Sequence, residues 1–201
     1  MKFNSKIVFF FTAMFFCQYL PAQIELLNAS FEGEHQDATV PVSWHGCERG
    51  TTPDILPGVW GVYTEPSEGE SYVGLITRED GSWEGLGQRL PTPLEKKICY
   101  SFSIDLAHSK TYSGYNKAVK LRIWGGKSKC DKSQLLLETD FVSHTDWKKY
   151  TLKFYPESKI KYLIFEAFYP YEQSEETDKP TFFKGNVLLD NISVIKKCPK
   201  A

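Results

Sequence analysis

Apolar and polar residues alternate one by one along several stretches of this chain, and this pattern constrains the fold more than any other feature. The alternation is clearest in residues 100–106, 119–124 and 150–154. Successive side chains of a β-strand point to opposite faces, so a period of two predicts strands with one buried and one wet face. The chain should therefore be built from strands that share a core.

Further strand candidates fill most of the remaining sequence. Residues 163–168 are apolar on both faces, which predicts a strand in the centre of a sheet. Other candidates are residues 26–32, 60–63, 71–76, 83–90, 134–142 and 187–195. No stretch of ten or more residues has the period of an amphipathic helix. Short strands separated by turn residues predict an all-β fold, a two-sheet β-sandwich of jelly-roll type.

The N-terminus has the pattern of an export signal. Lys2 and Lys6 precede an apolar run over residues 7–19, and the small residue Ala22 marks a cleavage point. A bilayer span needs about 20 apolar residues, so a cleaved signal over 1–23 is favoured over an anchor. The prediction is an exported protein with a single β-sandwich domain over 24–201 and no membrane span in the mature chain. Cys17 raises the alternative of a lipid anchor, although the residues before it are bulky.

The net charge and the cysteines indicate which partners and which covalent bonds this chain can have. The net charge is −1 and no Lys/Arg-rich stripe occurs, which excludes a nucleic-acid partner. The four cysteines after the signal favour two disulfides in an exported chain. If residues 99–106 and 119–125 are antiparallel neighbours, Cys99 pairs with Cys130. If the first and last strands are neighbours, Cys47 meets Cys198.

Two sequence stretches near the ends of the mature chain resemble a known fold family. Residues 28–32 (NASFE) and 188–192 (LLDNI) resemble the terminal strands of galactose-binding-like jelly rolls, a frame shared by carbohydrate-binding modules of xylanases and glucanases. The interior, including 83–90 (WEGLGQRL) and 121–126 (LRIWGG), resembles a bacterial cell-surface domain of exported and gliding-associated proteins. The resemblance implies a jelly roll at the cell surface.

The same resemblance implies a structural calcium ion between the first and last strands. The matching positions are Ser30, through its carbonyl, Glu32 and Asp190, whose oxygens suit calcium. Asp190 falls on the apolar face of its strand, where a carboxylate needs hydrogen bonds, a charged partner or a metal. The alternative is that Asp190 lies at a bulge and binds backbone amides.

One predicted strand face combines tryptophans with glycines. Trp83, Gly85, Gly87 and Arg89 alternate onto one side of residues 83–90. Glycines inside a strand often mark the close approach of a ligand or of another backbone. In the neighbouring stretch, Trp124 and Arg122 point away from the core. Together these residues predict a platform for a sugar ring, whose C–H face stacks on aromatic rings. The alternative is that Trp83 covers the glycines and that Trp124 lies under a loop.

Other candidate sugar ligands lie at strand ends and in loops. Asp54, Arg78 and Glu84 are polar residues beside apolar strand ends, and Tyr112 lies in a long loop. Such loops at the ends of a sandwich commonly carry binding function. Each of these residues could equally be a surface charge or part of an ion pair.

The sequence contains no recognisable catalytic motif. Glu84 and Glu166 could serve as the two carboxyl groups of a glycosidase, but the sequence does not fix the distance between them. The predicted function is therefore a non-catalytic carbohydrate-binding module that recognises an extracellular glycan or polysaccharide. The alternatives are a structural or adhesive protein that binds other cell-surface proteins, and a small secreted glycan hydrolase.

Overall fold

The computed structural model describes residues 23–170, 172–173 and 180–199. The predicted signal over 1–23 lies outside these residues except for Gln23. Within them the chain forms fourteen β-strands and no helix. In particular, the described residues include no helix long and apolar enough to cross a membrane.

One sheet has five antiparallel strands. In spatial order they are β1 (His45–Gly46), β4 (Gly85–Leu94), β10 (Ile160–Phe168), β7 (Lys120–Gly126) and β8 (Gln134–Glu138). β10 occupies the centre, as its apolar residues on both faces predict. Ile164 is the clearest case, because it is fully buried although it lies on the face away from the core.

The second sheet has seven strands. Its main order is β14 (Lys196–Lys197), β5 (Tyr100–Ala107), β13 (Gly185–Asp190), β3 (Tyr72–Thr77) and β2 (Asp54–Leu56). β9 (Lys148–Phe154) pairs with β5, and β6 (Lys117–Ala118) pairs with β13. A short separate ribbon joins β11 (Glu172–Gln173) to β12 (Pro180–Thr181).

The two sheets pack face to face around one apolar core, which makes the fold a jelly-roll β-sandwich. The alternating strands supply this core as predicted. In β5 the buried Phe102 and Ile104 alternate with the partly exposed Ser101 and Ser103. The five-stranded sheet contributes, among others, Leu86, Leu121, Ile123, Leu163 and Phe165.

A second apolar cluster lies on the outer face of the seven-stranded sheet. Tyr72 and Ile76 of β3 point away from the core and pack with Leu56, Val62, Ala107, Tyr112 and Leu188. Two loops, residues 57–66 and 108–116, therefore cover this face instead of leaving it to solvent. Gly74 makes room for them, because a Cβ there would come within 2.9 Å of Tyr112 and Leu56.

Two strand predictions were wrong. Residues 26–32 form a turn over 27–30 and no strand. The bridge between Ile24 and Ile195 and a hydrogen bond of 3.0 Å from the Ile192 amide to the Ala29 carbonyl link this part of the chain to the residues after β13. Residues 60–63 also form a turn, in which Trp60 and Gly61 adopt φ values of 52° and 78°. Backbone in this left-handed region cannot continue a strand.

The predicted disulfide pairing was also wrong. Cys47 bonds to Cys130, and Cys99 bonds to Cys198. The prediction assumed that residues 99–106 and 119–125 are neighbours, but β5 and β7 belong to different sheets. β14 pairs with the start of β5, and the Cys198 amide donates to the Cys99 carbonyl at 2.9 Å.

Candidate functional site

The outer face of the seven-stranded sheet contains a cavity of about 370 Å³. We call it the Trp60 cavity. Its lining consists of Ala38, Thr52, Asp54, Trp60, Ile76, Arg78, Tyr112, Ser113, Gly114, Tyr115 and Lys184. The loops over the second apolar cluster form its walls, and β2 and β3 form its floor. Its volume falls within the usual range for small-molecule sites.

The loop that carries Trp60 is fixed at both ends. Tyr72 donates to the Thr64 carbonyl at 2.8 Å, and Trp147 donates to the Glu65 carbonyl at 2.7 Å. At the other end, the Ser113 amide donates to the Trp60 carbonyl at 2.9 Å. The turn thus holds the Trp60 side chain at the cavity while leaving 49% of the residue exposed.

Asp54 organises the aromatic wall from below. It is 4% exposed and accepts hydrogen bonds from the Ala38 amide at 2.9 Å and from the Tyr112 hydroxyl. The Trp60 side chain lies close enough to this carboxylate to interact with it. Burial raises the pKa of Asp54, and the hydrogen bond from Tyr112 opposes that rise. Burial raises the pKa of Tyr112 as well, so its phenol stays protonated and donates.

Glu84 holds Arg78 at the cavity rim. The Glu84 side chain is fully buried and accepts from the Thr52 amide at 3.0 Å and from the Ile76 amide at 3.2 Å. Arg78 Nη2 lies 2.5 Å from Glu84 Oε1 and also bonds to the Thr52 hydroxyl at 3.2 Å. Burial raises the pKa of Glu84, an effect that Arg78 and the amides counter. Four predicted sugar ligands, Asp54, Arg78, Glu84 and Tyr112, are therefore brought together by the fold.

The other four predicted sugar ligands lie on the outer face of the five-stranded sheet. Arg122 Cζ lies 3.1 Å from the Phe168 ring centroid and 5.8 Å from that of Trp124. Trp83 meets Phe168 edge-on with centroids 5.7 Å apart. Arg89 is exposed on β4 opposite Tyr162 of β10. These side chains share one face, but Phe168 and Arg122 stand between the two tryptophans.

The glycine floor expected beneath these tryptophans is not open. A Cβ on Gly87 would lie 2.7 Å from both the Cys47 sulfur and His45 Nε2. A Cβ on Gly85 would lie 3.6 Å from the Glu48 side chain. The residues following β1 therefore cover the glycines, and the close approach that these glycines permit is that of the protein's own chain.

Sequence reasoning missed Trp60, Ser113 and Lys184 as site residues. Trp60 was assigned to a strand, where its side chain would have alternated into a sheet face. Gly58 and Gly61 on either side of it are turn signals that could have placed it in a loop.

Glu84 and Glu166 do not share a cleft. Glu166 lies opposite Gly85 and Arg122 on the outer face of its sheet and pairs with Lys132. Glu84 precedes Gly85 and points the other way, towards Arg78 and Thr52. Glycosidase chemistry needs two carboxyl groups that flank one bond. This pair does not provide that arrangement.

The predicted calcium ligands come from two segments: Ser30 and Glu32 precede β1, and Asp190 is the last residue of β13. Asp190 is fully buried and accepts from the amides of Ser67 at 2.8 Å, Glu68 at 3.0 Å and Asn191 at 2.6 Å. Burial, with a smaller contribution from the charge of Glu32, raises the pKa of Asp190 to about 7, although the three backbone hydrogen bonds oppose the rise.

Two further acidic side chains, those of Glu32 and Glu68, accept hydrogen bonds in the same region. Glu68 accepts from the Ser30 hydroxyl, and Glu32 accepts from the Glu70 amide at 3.1 Å. Among the described residues no ion pair neutralises Asp190, Glu32 or Glu68. Hard oxygen donors of this kind suit a calcium ion, but the carboxylate oxygens of Asp190, Glu32 and Glu68 do not all lie within 4.8 Å of one another. The three amide hydrogen bonds to Asp190 also match the alternative in which this carboxylate binds only backbone.

Comparison with known proteins identifies the fold. No family model matches the sequence, and no curated protein matches it either. Among solved structures, the CBM22-1 xylan-binding domain of Paenibacillus barcinonensis Xyn10C has a TM-score of 0.54 at 16% identity, covering 90% of this chain and 97% of that one. The K3 cleaved adhesin domain of Lys-gingipain from Porphyromonas gingivalis has a TM-score of 0.53 at 17% identity, covering 88% and 100%. The fold is a jelly roll of the carbohydrate-binding-module type.

Proposed function

We propose that this protein is an exported, non-catalytic carbohydrate-binding protein and that its glycan site is the Trp60 cavity. The observation that carries the proposal is a half-exposed tryptophan held beside a buried tyrosine and a partly exposed arginine. The flat C–H face of a sugar ring stacks on such an aromatic surface, and polar side chains at the rim bind its hydroxyls.

The polar groups around Trp60 suit this role. Within the described residues, every side-chain hydrogen bond of Arg78 uses Nη2, which leaves the rest of its guanidinium for a ligand hydroxyl. Lys184 and Ser113 add further donors to the lining. The buried Asp54 fixes the orientation of Tyr112 through a hydrogen bond, so this side chain loses little entropy on binding.

Fold similarity supports the same class of ligand. By its name, the Paenibacillus domain binds xylan, and the gingipain domain is an adhesin. Two disulfides are typical of a chain that folds outside the reducing cytosol, which agrees with export.

We also propose that a calcium ion is held by Glu32 and Asp190, with the Ser30 carbonyl as a further donor. A bound ion would supply the positive charge that these carboxylates lack. It would join residues 30–32 to the end of β13, and its role would be structural.

The experiment that tests glycan binding is an array of glycans and polysaccharides probed with the oxidised protein, its Trp60→Ala variant and its Tyr63→Ala variant. Tyr63 is 74% exposed on the same loop but does not line the cavity, which makes it the matched control. We expect binding that Trp60→Ala abolishes and Tyr63→Ala leaves intact. Binding that survives in Trp60→Ala would place the site elsewhere. Silence from the folded wild type would overturn glycan binding and favour a protein partner.

A further inference from the structure

The Cys47–Cys130 disulfide has a histidine beside it. His45 is in β1. One nitrogen of its ring, Nε2 or Nδ1, and the two sulfur atoms all lie within 4.8 Å of one another. Among the described residues, no other three His, Cys, Asp or Glu side chains bring their ligand atoms this close together. The other disulfide, Cys99–Cys198, is not part of any such group.

His45 Nε2 is buried and lacks a hydrogen-bond partner among the described residues. A buried ring nitrogen without a partner costs free energy, and such groups in native structures call for an explanation, for instance an ion or a redox role. Gly87 lies directly beneath, since a Cβ there would come within 2.7 Å of His45 Nε2 and of the Cys47 sulfur. Only glycine leaves this space free.

Ion pairs hold the segment of Cys130 against the sheet independently of the disulfide. Lys132 lies two residues after Cys130. It forms ion pairs with Glu48, which follows β1, and with Glu166 of β10. These contacts bridge the segment after β1 and the centre of the sheet. Cys130 therefore stays close to Cys47 and His45 when the S–S bond is broken.

We propose that reduction of the Cys47–Cys130 disulfide by a thiol or phosphine creates a binding site for Zn²⁺ formed by His45 Nε2 and the two cysteine sulfurs. The disulfide takes up two electrons and two protons from the reductant and gives two thiols. Zn²⁺ binding then displaces the two thiol protons to solvent. Two thiolates and one imidazole are a ligand set that zinc prefers, and a water molecule completes the tetrahedron.

The site is gated by redox state. A disulfide sulfur has no negative charge and shares its electrons in the S–S bond, so the oxidised protein should not bind the metal. The site lies on the outer face of the five-stranded sheet, whereas the Trp60 cavity lies on the outer face of the other sheet. Zinc binding and glycan binding can therefore fail independently.

The probe is Co²⁺, which reports thiolate ligands through charge-transfer and visible absorption bands. The whole protein is reduced, freed of reductant under argon and titrated with Co²⁺ and then with Zn²⁺. We expect one equivalent of Co²⁺ with tetrahedral thiolate bands, full displacement by Zn²⁺ and no bands in the oxidised protein. His45→Ala should weaken Zn²⁺ binding by more than the roughly 10–100-fold typical of losing an outer-shell group.

Paired variants separate this site from the other cysteines. Cys99→Ser with Cys198→Ser should retain the bands, and Cys47→Ser with Cys130→Ser should lose them. Alkylation of the reduced wild type followed by mass spectrometry needs no variant, and Zn²⁺ should protect Cys47 and Cys130 but not Cys99 and Cys198. Equal protection of all four thiols, or absence of the bands in the reduced wild type, would overturn the proposal.

Discussion

The Tyr112 hydroxyl donates a hydrogen bond to the buried carboxylate of Asp54. This bond joins the 108–116 loop to β2, two elements that are 58 residues apart in sequence. It also fixes the aromatic wall of the Trp60 cavity, because Tyr112 is part of that wall.

Tyr112→Phe should lower the free energy of unfolding by about 1–3 kcal/mol, because it leaves a buried carboxylate without one of its donors. It should also weaken glycan binding, since the wall loses an anchor. Denaturant unfolding and titration with the bound glycan measure the two effects. Tyr63→Phe on the exposed surface is the control and should change neither. Wild-type stability in Tyr112→Phe would show that the bond contributes little.

Deprotonation of Asp190 should lower the free energy of unfolding as the pH rises from about 4 to about 7 in the presence of chelator. Its pKa is raised from 3.8 to about 7 in the folded protein. The folded state therefore binds more protons than the unfolded chain in this window, and stability present below the unfolded pKa is lost as pH passes the folded pKa. Unfolding measured across this range should show the loss, on the order of a few kcal/mol.

Asp190→Asn isolates this contribution, because Asp54 and Glu84 also have raised pKa values. The variant should have a flatter pH profile than the wild type. Parallel profiles for the two proteins would mean that another group is responsible.

Calcium should stabilise the protein at neutral pH. An ion bound only by the folded state contributes about 2.7 kcal/mol at a concentration 100 times its Kd, so the Tm should rise with added Ca²⁺ and fall with chelator. Glu32→Gln should remove most of this response. Glu34→Gln, an exposed neighbour in sequence, should leave it intact. A Tm insensitive to both Ca²⁺ and chelator would contradict the site.

Peptide mapping without reduction should recover Cys47 joined to Cys130 and Cys99 joined to Cys198. The two bonds close segments with sequence separations of 83 and 99 residues. On the loop-entropy model each adds about 4–5 kcal/mol. Replacing either pair by serine should therefore lower the denaturation midpoint strongly. Recovery of Cys47 joined to Cys198 would contradict the sheet order.

The local sequence was sufficient to predict those strands in which apolar and polar residues alternate. Residues 100–106 and 150–154 became β5 and β9, which pair with each other, because their apolar side chains must all face one core. Sequence was insufficient where a turn overrides the pattern, as at Trp60, whose φ of 52° ends any strand. It also could not assign β5 and β7 to different sheets, and the disulfide prediction failed for that reason.

The candidate site was predictable residue by residue but not as an assembly. Asp54, Arg78, Glu84 and Tyr112 stood out as polar or aromatic residues at strand ends. Their convergence depends on contacts between distant segments, such as the bond of Arg78 to Glu84 and that of Tyr112 to Asp54. The tryptophans on the other sheet were equally prominent in sequence, and only the fold shows that the chain after β1 covers the glycines beside them.

The most direct test is an NMR titration that follows the five tryptophan indole N–H signals while the best glycan from the array is added. The tryptophans report on different parts of the molecule. Trp60 lines the cavity, whereas the Trp83 side chain packs against Phe168 and Trp124 lies beside Arg122, both on the outer face of the five-stranded sheet. We predict that the Trp60 signal shifts in a saturable way while the Trp83 and Trp124 signals stay in place. Saturable shifts confined to Trp83 and Trp124 would contradict the assignment of the glycan site to the Trp60 cavity.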